Sequence, residues 1–257
     1  MIKLTKNNVV VLNNEANAFI NTNKLSVSIA RNMFEVEEAQ RLRFKVFAEE
    51  MGAKIGNNGL DIDGFDEFCE HLIIRDNVTQ RVVGTYRILN SQMAGEAGGF
   101  YSAGEFDLTR LQHLFHNMVE VGRACVHPDY RTGGAITLLW AGLAHYMKQH
   151  GYEYMIGCAS VSMADGGHMA ASLYRYLLEE KFLSPQEYRV FPHCPLPIES
   201  LQSSLDAKCP ALLKGYLRLG AYVCGQPAWD PEFNTADMLI MLPISRINPR
   251  YAAHFMK

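Results

Sequence analysis

The chain has 257 residues, of which 48% are hydrophobic and 20% are charged, and its formal net charge is −3 at pH 7. These values predict one large globular domain with a full core, and they argue against a nucleic-acid-binding surface, which requires a basic patch. No apolar run reaches the ~18 residues of a membrane span, and no signal-peptide pattern opens the chain. Six cysteines without CxxC spacing predict reduced thiols in the cytoplasm.

The first part of the chain carries the pattern of an arm, a strand, a helix and a hairpin. Residues 1–24 are rich in Asn and irregular, so we expect a loose arm followed by one domain over residues 25–257. The hydrophobic period and the residue composition predict the positions of the secondary-structure elements. They are a short strand at 9–12, a strand at 25–30, an amphipathic helix at 36–51 and hairpin strands at 69–75 and 81–89.

The rest of the chain alternates between strands and helices. The predicted elements are a Gly-rich loop at 94–99, a short helix at 106–114, a strand at 118–126, a helix at 135–150, a strand at 154–161, a helix at 166–181, a short strand at 188–191, a helix at 211–219, a strand at 237–242 and a helical end at 244–257. This order predicts an α+β fold in which helices flank a mixed sheet.

A strand, a Gly-rich turn and a helix follow one another between residues 118 and 150. Pro128 ends the strand because it cannot donate to a ladder. Gly133 and Gly134 then precede the helix, whose first N–H groups lack intrahelical partners and can bind an anion. Arg131 adds a cation at the same place. A plain turn before a helix remains the alternative interpretation.

Glu120 and Arg123 place two charges inside the apolar strand, which is costly unless they are paired or used. Their positions differ in parity, so a regular strand would point them to opposite faces. Gly122 lies between them and can host a β-bulge, which resets the parity. We therefore expect a bulge near Gly122. The pair is either functional or a structural ion pair.

An acidic loop and two further charged positions complete the candidate residues. Asp61, Asp63 and Asp66 fall within six residues but lack the later ligands of an EF-hand, so the loop is either solvated or an acidic pocket for a cationic substrate. Arg87 is a charge inside a predicted strand. His113 and His116 have no ligand partners at suitable spacing, so we predict no metal site.

The order of elements resembles the GNAT acyltransferase fold, whose central sheet is mixed and mostly antiparallel. GNAT enzymes hold the pyrophosphate of coenzyme A with an Arg/Gln-x-x-Gly-x-Gly/Ala turn, which is similar to Arg131-Thr-Gly-Gly134-Ala-Ile136 here. Ile136 replaces a small residue, and this departure favours a donor with a single phosphodiester. The helix Ala170-Ala-Ser-Leu-Tyr174 resembles the family's A-x-x-L-Y helix, whose tyrosine can protonate the leaving thiolate. A core tyrosine is the alternative.

Further motifs resemble a narrower branch over residues 25–257. The autoinducer synthases share the pattern Arg43-Phe-Lys-Val-Phe, Asp61-Ile-Asp63-Gly-Phe-Asp66, Val83-Gly-Thr-Tyr-Arg87 and Glu120-Val-Gly-Arg123. The ornithine-acyl carrier protein N-acyltransferases, often labelled haemolysins, also share the motifs Phe65-Asp-Glu-Phe-Cys-Glu-His-Leu72, Lys214-Gly-Tyr-Leu-Arg-Leu-Gly220, Pro227-Ala-Trp-Asp-Pro231, Phe233-Asn-Thr-Ala-Asp237 and Ser245-Arg-Ile-Asn-Pro-Arg250. The resemblance implies transfer of a 3-hydroxyacyl chain to the α-amino group of ornithine, giving lyso-ornithine lipid.

This chemistry suggests a role for each candidate residue. Amine attack on a thioester needs a base, and Glu120 is the candidate; freed backbone N–H groups near Val126 would bind the thioester oxygen. The other expected roles are catalysis by Arg123 and Tyr174, binding of the donor by Val126, Arg131, Gly133 and Gly134, of which the last three would hold its phosphate, and binding of the amino acid by Arg43, Asp61, Asp63, Asp66 and Arg87. The alternative for these acids and arginines is one structural network that shapes the acyl pocket.

The implied donor is the acyl-phosphopantetheine of acyl carrier protein, with no permanently bound cofactor. We expect acyl carrier protein and ornithine as partners, no nucleic acid, and a cytoplasmic protein in peripheral contact with the inner membrane face. Alternatives are another acceptor (glycine, serine or glutamine) and a coenzyme A-dependent N-acetyltransferase. A pore-forming haemolysin would need membrane segments that the sequence does not show.

Overall fold

The structure is a computed structural model that describes residues 19–55, 58–131, 134–204, 206–207 and 209–247. Its main feature is a nine-stranded sheet, with a separate two-stranded sheet beside it. The strands are β1 Ile20–Asn21, β2 Leu25–Ile29, β3 Glu70–Asp76, β4 Val82–Asn90, β5 Phe106–Asp107, β6 Met118–Val126, β7 Tyr154–Ser162, β8 Phe191–Pro192, β9 Tyr222–Val223, β10 Ala228–Asp230 and β11 Thr235–Pro243.

The large sheet has the order β1-β2-β3-β4-β6-β7-β11-β10, and β9 also pairs with β11. Every pair in it is antiparallel except β6 with β7, which run parallel. β5 and β8 form the small antiparallel sheet. The structure thus confirms the mixed, mostly antiparallel sheet.

Helices cover both faces of the large sheet. The helices are α1 Met33–Phe44, α2 Ser91–Glu96, α3 Gly134–His150, α4 His168–Glu179 and α5 Ala211–Leu219. On β3, Leu72 and Ile74 pack in the core cluster beneath α3, whereas Ile73 packs on the other face beneath α1. This alternation is the period-2 pattern of a strand that is buried on both faces. Among the described residues, no helix is both long and apolar enough to cross a bilayer.

Several predicted elements differ from the structure because side-chain caps or turns override propensity. The helix predicted at 36–51 begins at Met33, since the Asn32 side chain accepts a hydrogen bond from the Glu35 N–H, and it continues as the π-helical turn Lys45–Glu50. The predicted loop at 94–99 is wrong for residues 94–96, which belong to α2 because Asn90 caps this helix by accepting from the Met93 N–H at 2.9 Å, and it is right for the turn at 97–99.

Other differences concern short segments. The predicted helix at 106–114 is instead β5 followed by the 3-10 helix Thr109–Asn117, and the predicted strand at 188–191 reduces to β8. The sheet already begins at β1, inside the expected arm. The strand expected at 9–12 and most of the C-terminal segment lie outside the described residues; Ile244–Arg246 is one 3-10 turn.

The parallel strands β6 and β7 pair only over their first residues. Met118, Val119 and Glu120 face Tyr154, Met155 and Ile156, and the ladder then ends. At this point Gly157 approaches the β6 backbone so closely that an added Cβ would lie 2.3 Å from the Val121 carbonyl oxygen. A glycine at 157 therefore permits the close approach from which the two strands diverge.

We expect Gly157→Ala to destabilise the protein by about 1–3 kcal/mol, because the added methyl would have to displace backbone atoms of the neighbouring strand. Urea unfolding measures the change. Gly122→Ala is the matched control, since an added Cβ there meets no atom within 4 Å and the backbone φ is not positive. Equal free energies of unfolding for the two variants would contradict the close-approach argument.

Candidate active site

A cavity of about 700 Å³ opens where β6 and β7 diverge. Because successive strand residues point to opposite faces, it presents different chemistry on each side of the sheet. The residues Glu120, Cys158 and Asp237 line it on the face that carries the loop network described below. Its apolar wall, on the face covered by α3, α4 and α5, is made by Val121, Met155, Leu212, Leu213, Tyr216, Ile240 and Leu242.

A β-bulge interrupts β6 at the mouth of this cavity, as the parity of the charged residues predicts. Cys125 faces Thr85 and Gly122 faces Arg87, so Arg123 and Ala124 together oppose one residue of β4. Arg123 adopts the left-handed region with φ of 50°. The extra residue turns the Arg123 side chain toward the face that carries Glu120 and Arg87.

Glu120 is buried, with 4% of its surface exposed, and lines the cavity. Its carboxylate accepts hydrogen bonds from the backbone N–H groups of Tyr101 at 2.5 Å and Ser102 at 2.9 Å. Burial raises the pKa of Glu120 and outweighs the opposing effects of these bonds and of Arg87. A carboxylate offers about four lone-pair sites, so two N–H donors leave room for a proton or a water.

Arg43 lies at the centre of the acidic loop and is fully buried. Its Nε donates to Asp61 at 2.8 Å, and its two terminal nitrogens bind both oxygens of Asp66 at 2.6 and 3.0 Å. Such fork-to-fork geometry is specific to Arg and carboxylate. Arg43 thus ties the two buried carboxylates of the loop, Asp61 and Asp66, to α1.

Two strand arginines complete the pairing of the acidic loop. Asp63 accepts from Arg87 at 2.5 Å and from Arg123 at 2.8 Å, and Arg123 also lies 3.3 Å from Asp61. Burial alone would raise the pKa of Asp63, yet the two guanidinium groups hold it below its usual value. Three arginines thus neutralise three aspartates. This arrangement favours the structural network over an acidic pocket open to a substrate ammonium.

At the expected phosphate site, the side chain of Arg131 already forms an ion pair with a glutamate. Arg131 binds Glu50 through two bonds of 2.5 and 2.8 Å, and its Nε donates to the Val126 carbonyl. Arg131 and Val126 line the cavity, and Gly134 is the first residue of α3. Gly133 lies outside the described residues. Of the residues expected to hold the donor phosphate, Arg131 and Val126 therefore lie at the cavity.

Tyr174 is separate from the other candidates. It lies on α4 and packs against the hydrophobic core, where burial raises its pKa, and it does not belong to the described lining of the cavity. Tyr101 and Tyr216 do line the cavity. The sequence pattern did not identify either tyrosine, because each is fixed by packing between segments distant in the chain.

The comparisons with known proteins agree with this fold. A sequence profile described as "Acetyltransferase (GNAT) domain" matches residues 42–141. The solved structure of FeeM, an N-acyl amino acid synthase from uncultured soil microbes, has a TM-score of 0.50 at 12% identity and covers 89% of this chain and 93% of its own. Fold and cavity together define a GNAT-type acyltransferase.

Two relatives named L-ornithine N(alpha)-acyltransferase indicate which family of GNAT-type acyltransferases this chain belongs to. The Brucella abortus (strain 2308) protein is 36% identical over 248 residues, which cover 90% of this chain and 88% of the relative. The Rhizobium meliloti (strain 1021) protein is 36% identical over 249 residues, with 90% and 84% covered. The chain belongs to the L-ornithine N(alpha)-acyltransferase family.

Proposed function

We propose that this acyltransferase moves a 3-hydroxyacyl chain from acyl carrier protein to the α-amino group of L-ornithine. The observation that supports this proposal is the cavity between β6 and β7, which has a charged lining on one face of the sheet and an apolar lining on the other. An acetyl group needs no such apolar space, whereas a fatty acyl chain would bury its methylenes there at about 0.8 kcal/mol each. The names of the relatives supply the acceptor, ornithine.

We assign one reactant to each face of this cavity. The acyl chain would lie against α5 and β11, with the thioester at the divergence of the strands. The amino acid would enter from the face of Glu120, so its amine meets the thioester carbon near Gly122. This opposed entry holds the amine and the thioester in one orientation, which lowers the entropic part of the barrier.

Glu120 is the proposed base, directly or through a water. It takes one proton from the α-ammonium, so that the neutral amine can attack the thioester carbon. The carbon–sulfur bond then breaks as the amide forms, and the second proton lost by the nitrogen neutralises the leaving thiolate, which departs as the free thiol. Backbone N–H groups near Val126, beyond the bulge, would bind the developing oxyanion. Arg123 contributes by holding Asp63 and Asp61 in the adjoining network.

Arg131 is the proposed phosphate contact, and its exchange of Glu50 for the phosphopantetheine phosphate gives a test. Arg131→Ala should raise KM for the acyl carrier protein about 10- to 100-fold, because one charge-assisted contact is lost. Glu50→Gln frees Arg131 and should leave this KM unchanged or lower. Steady-state kinetics with varied donor measure both. Arg175→Ala, an exposed arginine on α4, is the control.

If Arg131→Ala and Arg175→Ala had the same KM for the acyl carrier protein, this result would show that Arg131 does not contact the donor.

Mass spectrometry of the products tests the function as a whole. The purified protein is incubated with 3-hydroxyacyl carrier protein and a panel containing ornithine, glycine, serine and glutamine, and acetyl-coenzyme A is offered as a parallel donor. The expected product is the 3-hydroxyacyl amide of ornithine. An amide of another amino acid would refute the acceptor, and an acetylated product alone would refute the donor.

The product of this reaction has one long acyl chain and is a lipid. Peripheral contact with the cytoplasmic face of the inner membrane therefore belongs to the proposal. Co-sedimentation with vesicles that contain the product tests it.

A further inference from the structure

Two acidic side chains lie together at the charged side of the cavity without a cation. Asp237 lines the cavity, is 4% exposed, and its Oδ1 is buried without a hydrogen-bond partner. Both carboxylate oxygens of Glu105 are also buried without a partner. Ligand atoms of Glu105, Asp237 and Cys158 lie within 4.8 Å of one another. Nothing in the described part of the chain pairs either carboxylate with an arginine or lysine.

This pair contrasts with the acidic loop, where three arginines satisfy three aspartates. Two buried carboxylates at short range disfavour ionisation of each other. Burial, followed by the charges of Asp237, Asp230 and Glu120, raises the pKa of Glu105; burial also raises the pKa of Asp237. No arginine or lysine among the described residues pairs with this cluster, so a cation that bound there would favour the ionised carboxylates.

One short turn connects this cluster to the proposed base. The N–H groups of Tyr101 and Ser102, at the amino end of the 3-10 turn Tyr101–Gly104, bind Glu120. Glu105 directly follows the same turn, and its N–H donates to the Ser102 carbonyl at 3.1 Å. The charge of Glu120 also contributes to the raised pKa of Glu105, so the cluster lies within electrostatic range of the proposed base.

We propose that Asp237, backed by Glu105, binds the side-chain ammonium of the acceptor amino acid while its α-amine faces Glu120. This inference rests on the proposed function and identifies the residues that select a cationic acceptor. The ammonium donates to the Asp237 carboxylate, and its positive charge offsets the cost of ionising that buried carboxyl beside Glu105. A neutral side chain of equal length would leave both carboxylates without a partner, so it would bind less tightly.

The test compares ornithine with norvaline, which has the same carbon chain but no terminal amine. Full-length wild type, Asp237→Asn and Glu105→Gln are assayed with saturating 3-hydroxyacyl carrier protein. Asp237→Asn should raise KM for ornithine about 10- to 100-fold, leave KM for the donor unchanged and leave norvaline turnover unchanged or improved. Glu105→Gln should change the ornithine KM in the same direction by less. Glu179→Gln, an exposed glutamate on α4, is the control.

Thermal unfolding gives a second readout that does not depend on activity. Ornithine should stabilise the wild type and fail to stabilise Asp237→Asn at the same concentration. Without ligand, the variant should be at least as stable as the wild type, because one of two facing carboxylates has been removed.

The outcomes separate this inference from the proposed function. If the wild type acylates no cationic amino acid, the proposed function fails. If the wild type acylates ornithine and both variants keep its preference over norvaline, this inference alone is overturned. It is also overturned if the purified protein holds stoichiometric divalent metal that Glu105→Gln loses, since a metal would then be the partner of the carboxylates.

Discussion

Replacing Arg43 with Gln is expected to lower the free energy of unfolding by about 3–5 kcal/mol, because it leaves two buried carboxylates without their shared cation. Arg43 is 0% exposed and also donates to the Asp61 carbonyl at 2.8 Å. Urea unfolding followed by circular dichroism measures the loss. The acyltransferase activity should fall together with folding, since the loop between α1 and β3 would lose its anchor.

Two further variants keep this prediction testable if Arg43→Gln does not fold. Arg43→Lys retains the charge but cannot form the fork to Asp66, so it should lose part of this stability. Arg41→Ala is the matched control on the same helix, where an exposed pair with Glu37 contributes only about 0–1 kcal/mol. Similar losses for Arg43→Gln and Arg41→Ala would show that the network adds nothing beyond a surface ion pair.

Patterns within short stretches of the sequence predicted much of this fold, including the β-bulge in β6. The β6 strand and helix α5 have the expected positions because each depends on period, proline or glycine within a few residues. The odd spacing of Glu120 and Arg123 required a change of register, and Gly122 marked its place. In contrast, α2 depends on one cap at Asn90, which a Gly-rich composition conceals.

The chemistry of the site was harder to predict, since it depends on which distant charges meet. The sequence shows acids at 61–66 and arginines at 43, 87 and 123, yet only the fold decides that they pair with each other. Glu105 and Asp237 lie in separate parts of the chain. The fold places Glu105, at the end of the turn that begins at Tyr101, beside Asp237 of β11. No spacing of residues in the sequence indicates this contact.

Glu120→Gln is expected to reduce kcat about 10²- to 10⁴-fold, because the amide cannot remove a proton from the ammonium of the acceptor. Its stability should fall by only about 1–3 kcal/mol, since the amide oxygen can still accept from one of the two N–H groups and the other loses its acceptor. Steady-state kinetics and urea unfolding are measured on the same preparation. Near-normal kcat in a folded variant would refute the role of Glu120 as base.

The pH profile separates a base from a carboxylate that only caps the turn at Tyr101. The base acts in its unprotonated form, so kcat/KM should rise with pH through the pKa of Glu120, and burial places this pKa above that of an exposed glutamate. Glu120→Gln should lack this rising limb, and the control Glu179→Gln should keep it. If Glu120 only fixed the turn, the Gln variant would lower stability and raise KM for the acceptor, and the limb would remain. Loss of the limb in a folded protein therefore identifies proton transfer at Glu120 as the step that the buried site performs.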